Sequence, residues 1–323
     1  NTATSTNTPT ATPTNTSLPA PTNTPVTYRD YGDLRDANTG HDFPTAGNDG
    51  GEGMAANHTI INTLYLGNCV DGEPDGAPDG RAGMASSGGD DHTPGLPGGT
   101  AGTCAGNDDE DGVTLVTPLV AGANACVAVT AVNQTGGNAV LQGWIDFNGD
   151  GHYDANEILT TGDFAGGGAL LPAGGVNNQR YCFTTPPTAT FDGGETYLRW
   201  RLSSAGNLTA AGPALDGEVE DYWQPFACLG NWVWIDWDED GFQDTVDLVE
   251  PGLPGLTVSL IWYGANQTYE AGAGDDLRYT TTTDASGAYH FCGLLPSDSA
   301  GHGSIYEVQL IDPFAPVATQ AVA

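Results

Sequence analysis

Short segments of alternating apolar residues, separated by Gly-rich turns, constrain the fold of this chain more than any other feature. The segment 197–203, YLRWRLS, places Leu198, Trp200 and Leu202 on one side of an extended chain, and the segment 126–132, CVAVTAV, alternates in the same way. A period of two with one apolar side indicates a half-buried strand. The 47 Gly and 21 Pro residues favour turns over helices. The sequence therefore predicts an all-β protein.

The chain divides by composition into three parts. Residues 1–27 form an uncharged Thr/Pro/Asn-rich tract, which we interpret as an extended linker or stalk because it lacks core-forming residues and favours polyproline-like conformations. Residues 28–227 alternate strands with acidic, Gly-rich loops and are predicted to form a β-sandwich domain. Residues 228–323 contain strand-like segments at short intervals, as in an Ig-like β-sandwich of about a hundred residues.

Large apolar residues of the third part are expected to line the two sheets of that sandwich. We favour a packed core over an exposed sugar-binding platform. The residues assigned to this core are Trp232, Trp234, Val258, Leu260, Trp262, Tyr289 and Phe291.

The net charge of −34 excludes two classes of partner. All seven basic residues are Arg, against 41 Asp and Glu residues. A chain this acidic repels nucleic acid and anionic membrane surfaces. No apolar run approaches the ~20 residues of a membrane helix, so no membrane insertion is expected in this segment. Divalent cations are the expected source of counter-charge.

The sequence contains no familiar catalytic pattern. The nucleophile-elbow, HExxH, P-loop and dinucleotide-binding motifs are absent, and the six His residues are scattered. A glycosidase needs two carboxyl groups at a defined separation across a cleft, whereas these carboxylates crowd into Gly-rich loops at the spacing of metal ligands. We therefore expect that the chain is not an enzyme.

Six cysteines, without the CxxC pairs of zinc sites, indicate disulfides formed in an oxidising compartment. Six Cys allow 15 connectivities. Because two fall in each of three segments, we favour the pairs Cys69–Cys104, Cys126–Cys182 and Cys228–Cys292. No signal peptide is visible, and we expect a mature or excised extracellular portion of a longer protein.

The segment 146–157, DFNGDGHYDANE, has the ligand spacing of an EF-hand calcium loop, with Gly151 at the sixth position. Hard oxygen donors in this number select Ca²⁺ over zinc or copper. The preceding segment, LQGWIDF, reads as a strand rather than a helix, so we predict a structural clamp and not a switch. The predicted ligands are the side chains of Asp146, Asn148, Asp150, Asp154 and Glu157 and the backbone carbonyl of His152.

A second acidic loop, DWDEDGFQDTVDLVE, repeats this pattern from Asp236 onward. Position 12 is Asp247, but Glu250 follows three residues later and has the longer side chain. On this sequence either residue can close the calcium site. The other predicted ligands are the side chains of Asp236, Asp238, Asp240 and Asp244 and the backbone carbonyl of Phe242.

Three looser acidic groups are, taken singly, more typical of solvated turns. Together with Asp90 and Asp91 they are candidates for a further cation site. Alternatively, Arg199 and Arg201 pair with the last group as structural ion pairs. The groups are Asp71, Glu73 and Asp75; Asp108, Asp109, Glu110 and Asp111; and Glu218, Glu220 and Asp221.

Residues 28–227 resemble a GEVEDY domain, named for the hexapeptide at 217–222, and also match it at LYLGNCVDGEPDG, DDEDGV and GWIDFNGDGHYDANE. Residues 228–323 resemble the calcium-binding B-type repeat of serine-aspartate-rich bacterial adhesins, through GNWVWIDWDEDGFQD, EPGLPGLTVSL and TTTDASGAYHFCGLLP. That resemblance implies that Glu250, the Glu before Pro-Gly, closes the second loop. It also implies Ca²⁺-rigidified β-sandwiches strung as stalks on bacterial surface proteins, without catalysis.

These observations predict an extracellular, calcium-stabilised structural protein of the bacterial cell surface, and a subunit of a surface filament or sheath. A stalked adhesin or carbohydrate-binding module is the alternative. The expected partners are further copies of the chain, joined through chain ends or sheet edges, and glycans. Candidate glycosylation sequons lie at Asn15, Asn57, Asn133, Asn207 and Asn266.

Overall fold

The computed structural model describes residues 29–32, 34, 56–70, 72, 109–191, 193–246, 249–270, 274–296 and 304–311, together with the backbone of 101–102. These residues form strands joined by turns, with one 3-10 turn at Gly162–Phe164. The predicted all-β class is confirmed. Within the same residues, no helix has the length and apolar character that crossing a bilayer requires. The tract 1–27 lies outside the described residues, so its extended conformation stays a prediction.

Thirteen strands of the described chain precede residue 226. They are β1 Arg29–Tyr31, β2 Asn57–Thr59, β3 Leu64–Leu66, β4 Cys69–Val70, β5 Ala101–Gly102, β6 Val113–Leu115, β7 Asn124–Asn133, β8 Ala139–Ile145, β9 Ala169–Leu171, β10 Val176–Thr184, β11 Glu195–Ser203, β12 Pro213–Ala214 and β13 Glu218–Pro225. Strands β10, β7 and β3 form one sheet, in which β6 also pairs with β7, and β13, β11, β8 and β9 form a second. Smaller sheets are β1–β2–β12 and β4–β5.

The two four-stranded sheets enclose the core of a β-sandwich. Val127 and Val129 from β7 and Leu198, Trp200 and Leu202 from β11 belong to one buried cluster. The alternation predicted for both segments is confirmed, because each strand turns its apolar residues toward the opposite sheet.

The other face of β11 is buried as well, which the alternation did not predict. Tyr197, Arg199 and Arg201 are almost completely inaccessible to solvent. The small sheet containing β2 covers Arg201, whose Nε donates a hydrogen bond to Nε2 of His58 at 3.0 Å. Tyr197 packs with Leu34. The polar residues of this face therefore bond within the protein. Strand β11 is buried on both faces rather than on one.

Five strands of the described chain follow residue 226. They are β14 Ala227–Trp232, β15 Thr257–Trp262, β16 Leu277–Thr282, β17 Ala288–Leu294 and β18 Tyr306–Leu310. Two sheets, β14–β17 and β16–β15–β18, form the Ig-like second sandwich. Val258, Leu260, Trp262 and Phe291 lie in its buried cluster, and Tyr289 packs against it, as predicted.

The assignment of Trp232 to this core was wrong. Its side chain is 52% exposed, and β14 is exposed along almost its whole length. The strand ends at Trp232, and the half-buried Trp234 forms only an isolated bridge with Gly252. The reason is that β14 pairs with β17 alone among the described strands, so it is an edge strand whose outward residues face solvent.

Phe226 is the only residue between β13 and β14. Its ring packs on Phe191 in the first core, with ring centroids 5.1 Å apart, while Ala227 packs against the second core. The backbone N–H of Leu119 donates a hydrogen bond to the carbonyl of Gly293 at 2.8 Å. The two sandwiches are thus in direct contact.

Two predicted disulfides are confirmed. Cys126 and Cys182 lie directly opposite each other on β7 and β10 and are bonded. Cys228 and Cys292 join β14 to β17. Each disulfide therefore links two antiparallel strands of one sheet.

The third predicted disulfide falls partly outside the described residues. Cys69 is disulfide-bonded and lies on β4, which pairs with β5 at Gly102. Cys104 follows β5 but is not among the described residues, so the pairing of Cys69 with Cys104 stays a prediction.

Candidate metal centre

The first candidate calcium loop, residues 146–157, begins where β8 ends. Strand β8 ends at Ile145, and the backbone N–H of Ile145 donates back to the carbonyl of Glu157 at 3.1 Å. The predicted strand before the loop is confirmed, and a hydrogen bond from that strand closes the loop at its base.

Two buried carboxylates organise the backbone of this loop. Glu157 accepts hydrogen bonds from the N–H groups of Phe147 and Asp154, both at 2.8 Å. Asp146 accepts from the N–H groups of Gly149 at 2.7 Å and Gly151 at 3.0 Å. Gly151 has a φ of 83°, the left-handed conformation that the sixth position of such a loop requires.

The environment of these two carboxylates disfavours negative charge when no cation is bound. Burial raises the pKa of Glu157 to about 7, against the opposing effect of its backbone donors. Burial also raises the pKa of Asp146, and the nearby charge of Asp150 acts in the same direction. A bound cation would offset this electrostatic cost, because it favours the ionised form of each ligand.

The remaining predicted ligands of the first loop are exposed. The side chains of Asn148 and Asp150 are hydrogen-bonded at 2.9 Å, and Asp150 also accepts from the N–H of His152 at 3.0 Å. Asp154 and His152 lie on the exposed side. Unlike the second loop, this loop does not bring three carboxylate oxygens within 4.8 Å of one another in the described chain.

The second loop reproduces the anchoring of the first through Glu250. This side chain is 2% exposed and accepts from the N–H of Trp237 at 2.6 Å and of Asp244 at 3.1 Å. These are the second and ninth positions of the loop, as are Phe147 and Asp154 in the first. Glu250 therefore occupies the place of Glu157, three residues later in the sequence.

Carboxylates of the second loop converge. Oxygens of Asp236, Asp238 and Glu250 lie within 4.8 Å of one another, and Oδ1 of Asp236 is buried without a hydrogen-bond partner. Hydrogen bonds to Asp236 from Gly241 and to Asp240 from Phe242 hold the turn, at 3.0 and 2.7 Å. The donor set fits a hard divalent cation. Asp247, the alternative closing residue, lies outside the described residues.

Residues 140–224 match the GEVED domain family, and residues 227–322 match the SdrD B-like domain family. The chain carries a GEVED domain followed by an SdrD B-like domain. It is also 29% identical over 171 residues to the serine-aspartate repeat-containing protein F of Staphylococcus epidermidis. That similarity covers 47% of this chain and only 10% of the relative's length.

The last five residues of the GEVEDY hexapeptide, 218–222, form the start of β13, at the edge of its sheet. Asp221 accepts two hydrogen bonds from Arg199, so the predicted alternative of an ion pair is realised at this position. Arg201 instead donates to the backbone carbonyls of Thr209, Ala211 and Gly212 and to His58. Asp71, Glu73, Asp75, Asp90, Asp91 and Asp108 lie outside the described residues.

The SdrD B-like domain contains a further acidic cluster, outside both acidic loops, that the sequence analysis did not identify. Oxygens of Glu270, Asp275 and Asp276 lie within 4.8 Å of one another in the connection between β15 and β16. Gly264 approaches this cluster with a φ of 66°, and a side chain there would collide with Asp275. The spacing of these acids follows no calcium-loop pattern, so only their proximity in the fold identifies the cluster.

Two of the candidate glycosylation sequons are inaccessible in the fold. Asn133 is fully buried, and its Nδ2 donates to the carbonyls of Leu171 and Gly137. Asn57 is 6% exposed. Asn207 and Asn266 are exposed, and Asn15 lies outside the described residues. Attachment at Asn57 or Asn133 would require local unfolding.

Proposed function

We propose that this chain is a calcium-stabilised structural module of an extracellular, adhesin-like protein of the bacterial cell surface. The observation that carries the proposal is the shared anchoring of two acidic loops, one in each sandwich. In each loop a single buried glutamate holds the second and ninth backbone N–H groups, and the other acidic residues of the loop have the sequence spacing of EF-hand ligands.

Calcium acts as a structural component in this proposal. The first loop leaves β8 directly, and the described residues on either side of both loops contain strands and turns only. An EF-hand sensor opens a groove between paired helices. A loop anchored on a strand has no such movement to control, so bound Ca²⁺ would stiffen the sandwich to which it belongs.

The proposal assigns no catalytic step to the chain. Asp146, Glu157 and Glu250, its most buried loop carboxylates, bind backbone N–H groups of their own loops. The two disulfides and the similarity to a serine-aspartate repeat-containing protein support a location outside the cell.

Thermal unfolding of the chain with Ca²⁺, with Mg²⁺ and with EDTA tests the proposal. We expect the melting temperature to be highest in Ca²⁺ and to fall clearly in EDTA, because the ion binds the folded state and not the unfolded one. The E157Q/E250Q variant should lose most of this Ca²⁺ dependence. An identical melting temperature in Ca²⁺ and EDTA would refute a structural role for calcium.

Assembly into a filament or sheath is a second candidate role, favoured by the exposed edge of β14. Trp232 and Leu229 on this edge strand are 52% and 37% exposed. Edge strands of this kind can pair with a second chain. Sedimentation of the wild type and of L229K/W232K would test it: self-association that the double variant abolishes supports assembly through β14, and a wild type that stays monomeric at all concentrations counts against it.

A further inference from the structure

Phe191 adopts a backbone conformation that a bulky residue rarely occupies. Its φ of 51° lies in the left-handed region, although its side chain is only 2% exposed. Four other non-Gly residues of the described chain have a positive φ, and all four are exposed and polar. A bulky residue stays in this conformation only while the contacts around it impose it. Those contacts therefore decide what Phe191 does in the fold.

The residue before Phe191 binds the backbone of the first acidic loop. The N–H of Thr190 donates to the carbonyl of Phe147 at 3.0 Å, and the Thr190 hydroxyl donates to the carbonyl of Asn148 at 3.4 Å. Phe147 is also the residue whose N–H binds Glu157. The rings of Phe147 and Phe191 meet edge to face, with centroids 6.1 Å apart. Backbone and ring contacts thus connect Phe191 to the loop.

Phe191 also contacts the connection between the two sandwiches. Its ring packs on Phe226, with centroids 5.1 Å apart. The N–H of Phe226 donates to the carbonyl of Gly194 at 2.7 Å, and the N–H of Gly194 donates to the carbonyl of Phe191 at 3.1 Å. The single residue that joins β13 to β14 is therefore held by Phe191 through both its ring and its backbone.

Strand β17 of the second sandwich comes close to the same ring. A Cβ on Gly293 would lie 3.0 Å from Cδ2 of Phe191 and 2.6 Å from the carbonyl oxygen of Leu119. The carbonyl of Gly293 accepts a hydrogen bond from the N–H of Leu119 at 2.8 Å. We call the contacts of Phe191 with Phe226 and Gly293, together with the hydrogen bond between Leu119 and Gly293, the junction.

The corresponding position of the second acidic loop lies in a different environment. Glu250 binds the N–H of Trp237, as Glu157 binds that of Phe147. Trp237 is 58% exposed, whereas Phe147 is 4% exposed and belongs to the first core. The loop position that contacts Phe191 in the first loop faces solvent in the second, so the two loops differ in what they support.

We propose that Phe191 couples the first acidic loop to the junction, so that Ca²⁺ bound in this loop restricts how the two sandwiches move relative to each other. The inference rests on the proposed function, because it requires Ca²⁺ in the first loop. It gives that ion a second effect, on the relative orientation of two sandwiches and not only on the stability of one.

Loss of the ion would release Phe191 because its backbone conformation is strained. Glu157 is both a predicted Ca²⁺ ligand and the acceptor for the N–H of Phe147, so the ion would fix the residue to which Thr190 is bonded. Without the ion, repulsion between the buried carboxylates would loosen the loop. Phe191 would then return to a more favourable backbone conformation, and its ring would leave Phe226. A cavity of about 270 Å³, lined by Phe191 and by residues of β16 and β17, provides room for this movement.

Distances between spin labels on the two sandwiches test the coupling. Labels carried by non-natural amino acids at Gln134 and Ala285, both exposed, leave the disulfides intact. We expect a narrow distance distribution for the full chain in Ca²⁺ and a broad one in EDTA. At the same Ca²⁺ concentration, E157Q should give the broad distribution and E250Q the narrow one, because Phe191 contacts the first loop.

Removal of the Phe191 ring provides an independent test. F191A should broaden the distribution in Ca²⁺. The matched control is F164A, which removes a buried ring of the same core that packs on Phe183 and Trp200, and it should leave the distribution narrow. A cooperative thermal transition shows that each variant is folded. If F191A does not fold, the comparison of E157Q with E250Q decides the outcome alone.

Equal widths in Ca²⁺ and EDTA for the wild type would overturn the coupling. If the melting temperature of the same sample still falls in EDTA, the proposed function stands without the coupling; if the melting temperature is also unchanged, both fail. Equal broadening by E157Q and E250Q, or by F191A and F164A, would overturn the coupling as well, because the junction would then not depend on the contacts of Phe191 with the first loop.

Discussion

Arg199 and Asp221 face each other on paired strands and form a two-bonded ion pair that is closed to solvent. Nε and a terminal nitrogen of Arg199 donate to the two carboxylate oxygens at 2.7 and 2.6 Å. Both side chains are 0% exposed. The pair lies between β11, β13 and the small β1–β2–β12 sheet, and it accounts for an arginine and an aspartate at positions that solvent cannot reach.

Removing one partner of this pair should strongly destabilise the GEVED domain. We expect D221N to lower the free energy of unfolding by about 3–5 kcal/mol, because it leaves the Arg199 charge buried and uncompensated. Urea unfolding followed by tryptophan fluorescence measures it. The control R180M removes an arginine that is exposed on β10 and should change stability by at most about 0.5 kcal/mol. Equal effects of the two substitutions would contradict the structural role of the pair.

Glu250, not Asp247, should close the second acidic loop. Glu250 binds the N–H groups at the second and ninth positions, as Glu157 does in the first loop. We expect E250Q to weaken Ca²⁺ binding at this loop by at least about tenfold, because it removes a carboxylate that can bind through both oxygens. Isothermal titration calorimetry of E250Q and D247N compares the two. A larger loss of affinity in D247N would reverse the assignment.

Without calcium, the stability of the chain should fall as the pH rises. The pKa of Glu157 is about 7 in the folded state, against 4.5 for an unperturbed glutamate. The folded chain therefore holds this proton more tightly than the unfolded chain, and the resulting stabilisation is complete below about pH 4.5 and lost as the pH rises through about 7. The raised pKa of Asp146 has the same sign.

Urea unfolding in EDTA at a series of pH values from about 4.5 to 7.5 measures this dependence. E157Q should show a flatter profile, since its amide does not titrate. Saturating Ca²⁺ should also remove the decline, because the ion holds the carboxylate ionised. Stability in EDTA that increases through this range would contradict the raised pKa.

The glycine that opens the GEVEDY hexapeptide should not tolerate a side chain. Gly217 has a φ of 92°, and a Cβ there would lie 1.8 Å from the carbonyl oxygen of Leu202. Gly136 has a similar φ of 85° but open space around it. We expect G136A to cost roughly 1–2 kcal/mol for its backbone conformation alone, and G217A to cost clearly more. Thermal unfolding of both variants separates the collision from the backbone effect, and equal costs would rule out the collision.

Strand positions and the turn of the first acidic loop followed from local patterns. The alternation around Val129 and Trp200 correctly predicted β7 and β11, because period two is a property of the chain itself. The spacing of acids between Asp146 and Glu157 correctly predicted a turn that follows a strand. The disulfides Cys126–Cys182 and Cys228–Cys292 could be predicted because both cysteines of each pair fall within one segment of the chain.

Features that depend on how sheets are layered did not follow from the sequence. Alternation on β11 predicted a solvent-facing side for Arg201, but a third sheet, built from residues far apart in sequence, covers it. Trp232 was expected in the core because aromatic residues are usually buried, and its edge position is visible only from the strand order. The cluster around Asp275 likewise depends on tertiary contacts.

Phe226 is the whole connection between the two sandwiches, and one residue spans only about 3.3 Å. The end-to-end distance of a flexible linker grows only as the square root of its length, because such a chain is coiled by thermal motion. The length of a series of modules joined by single residues would instead grow in direct proportion to the number of modules. The distance to which such a chain projects from its anchor would then be set by how many modules are encoded, and elongation by duplication of a module would need no new linker.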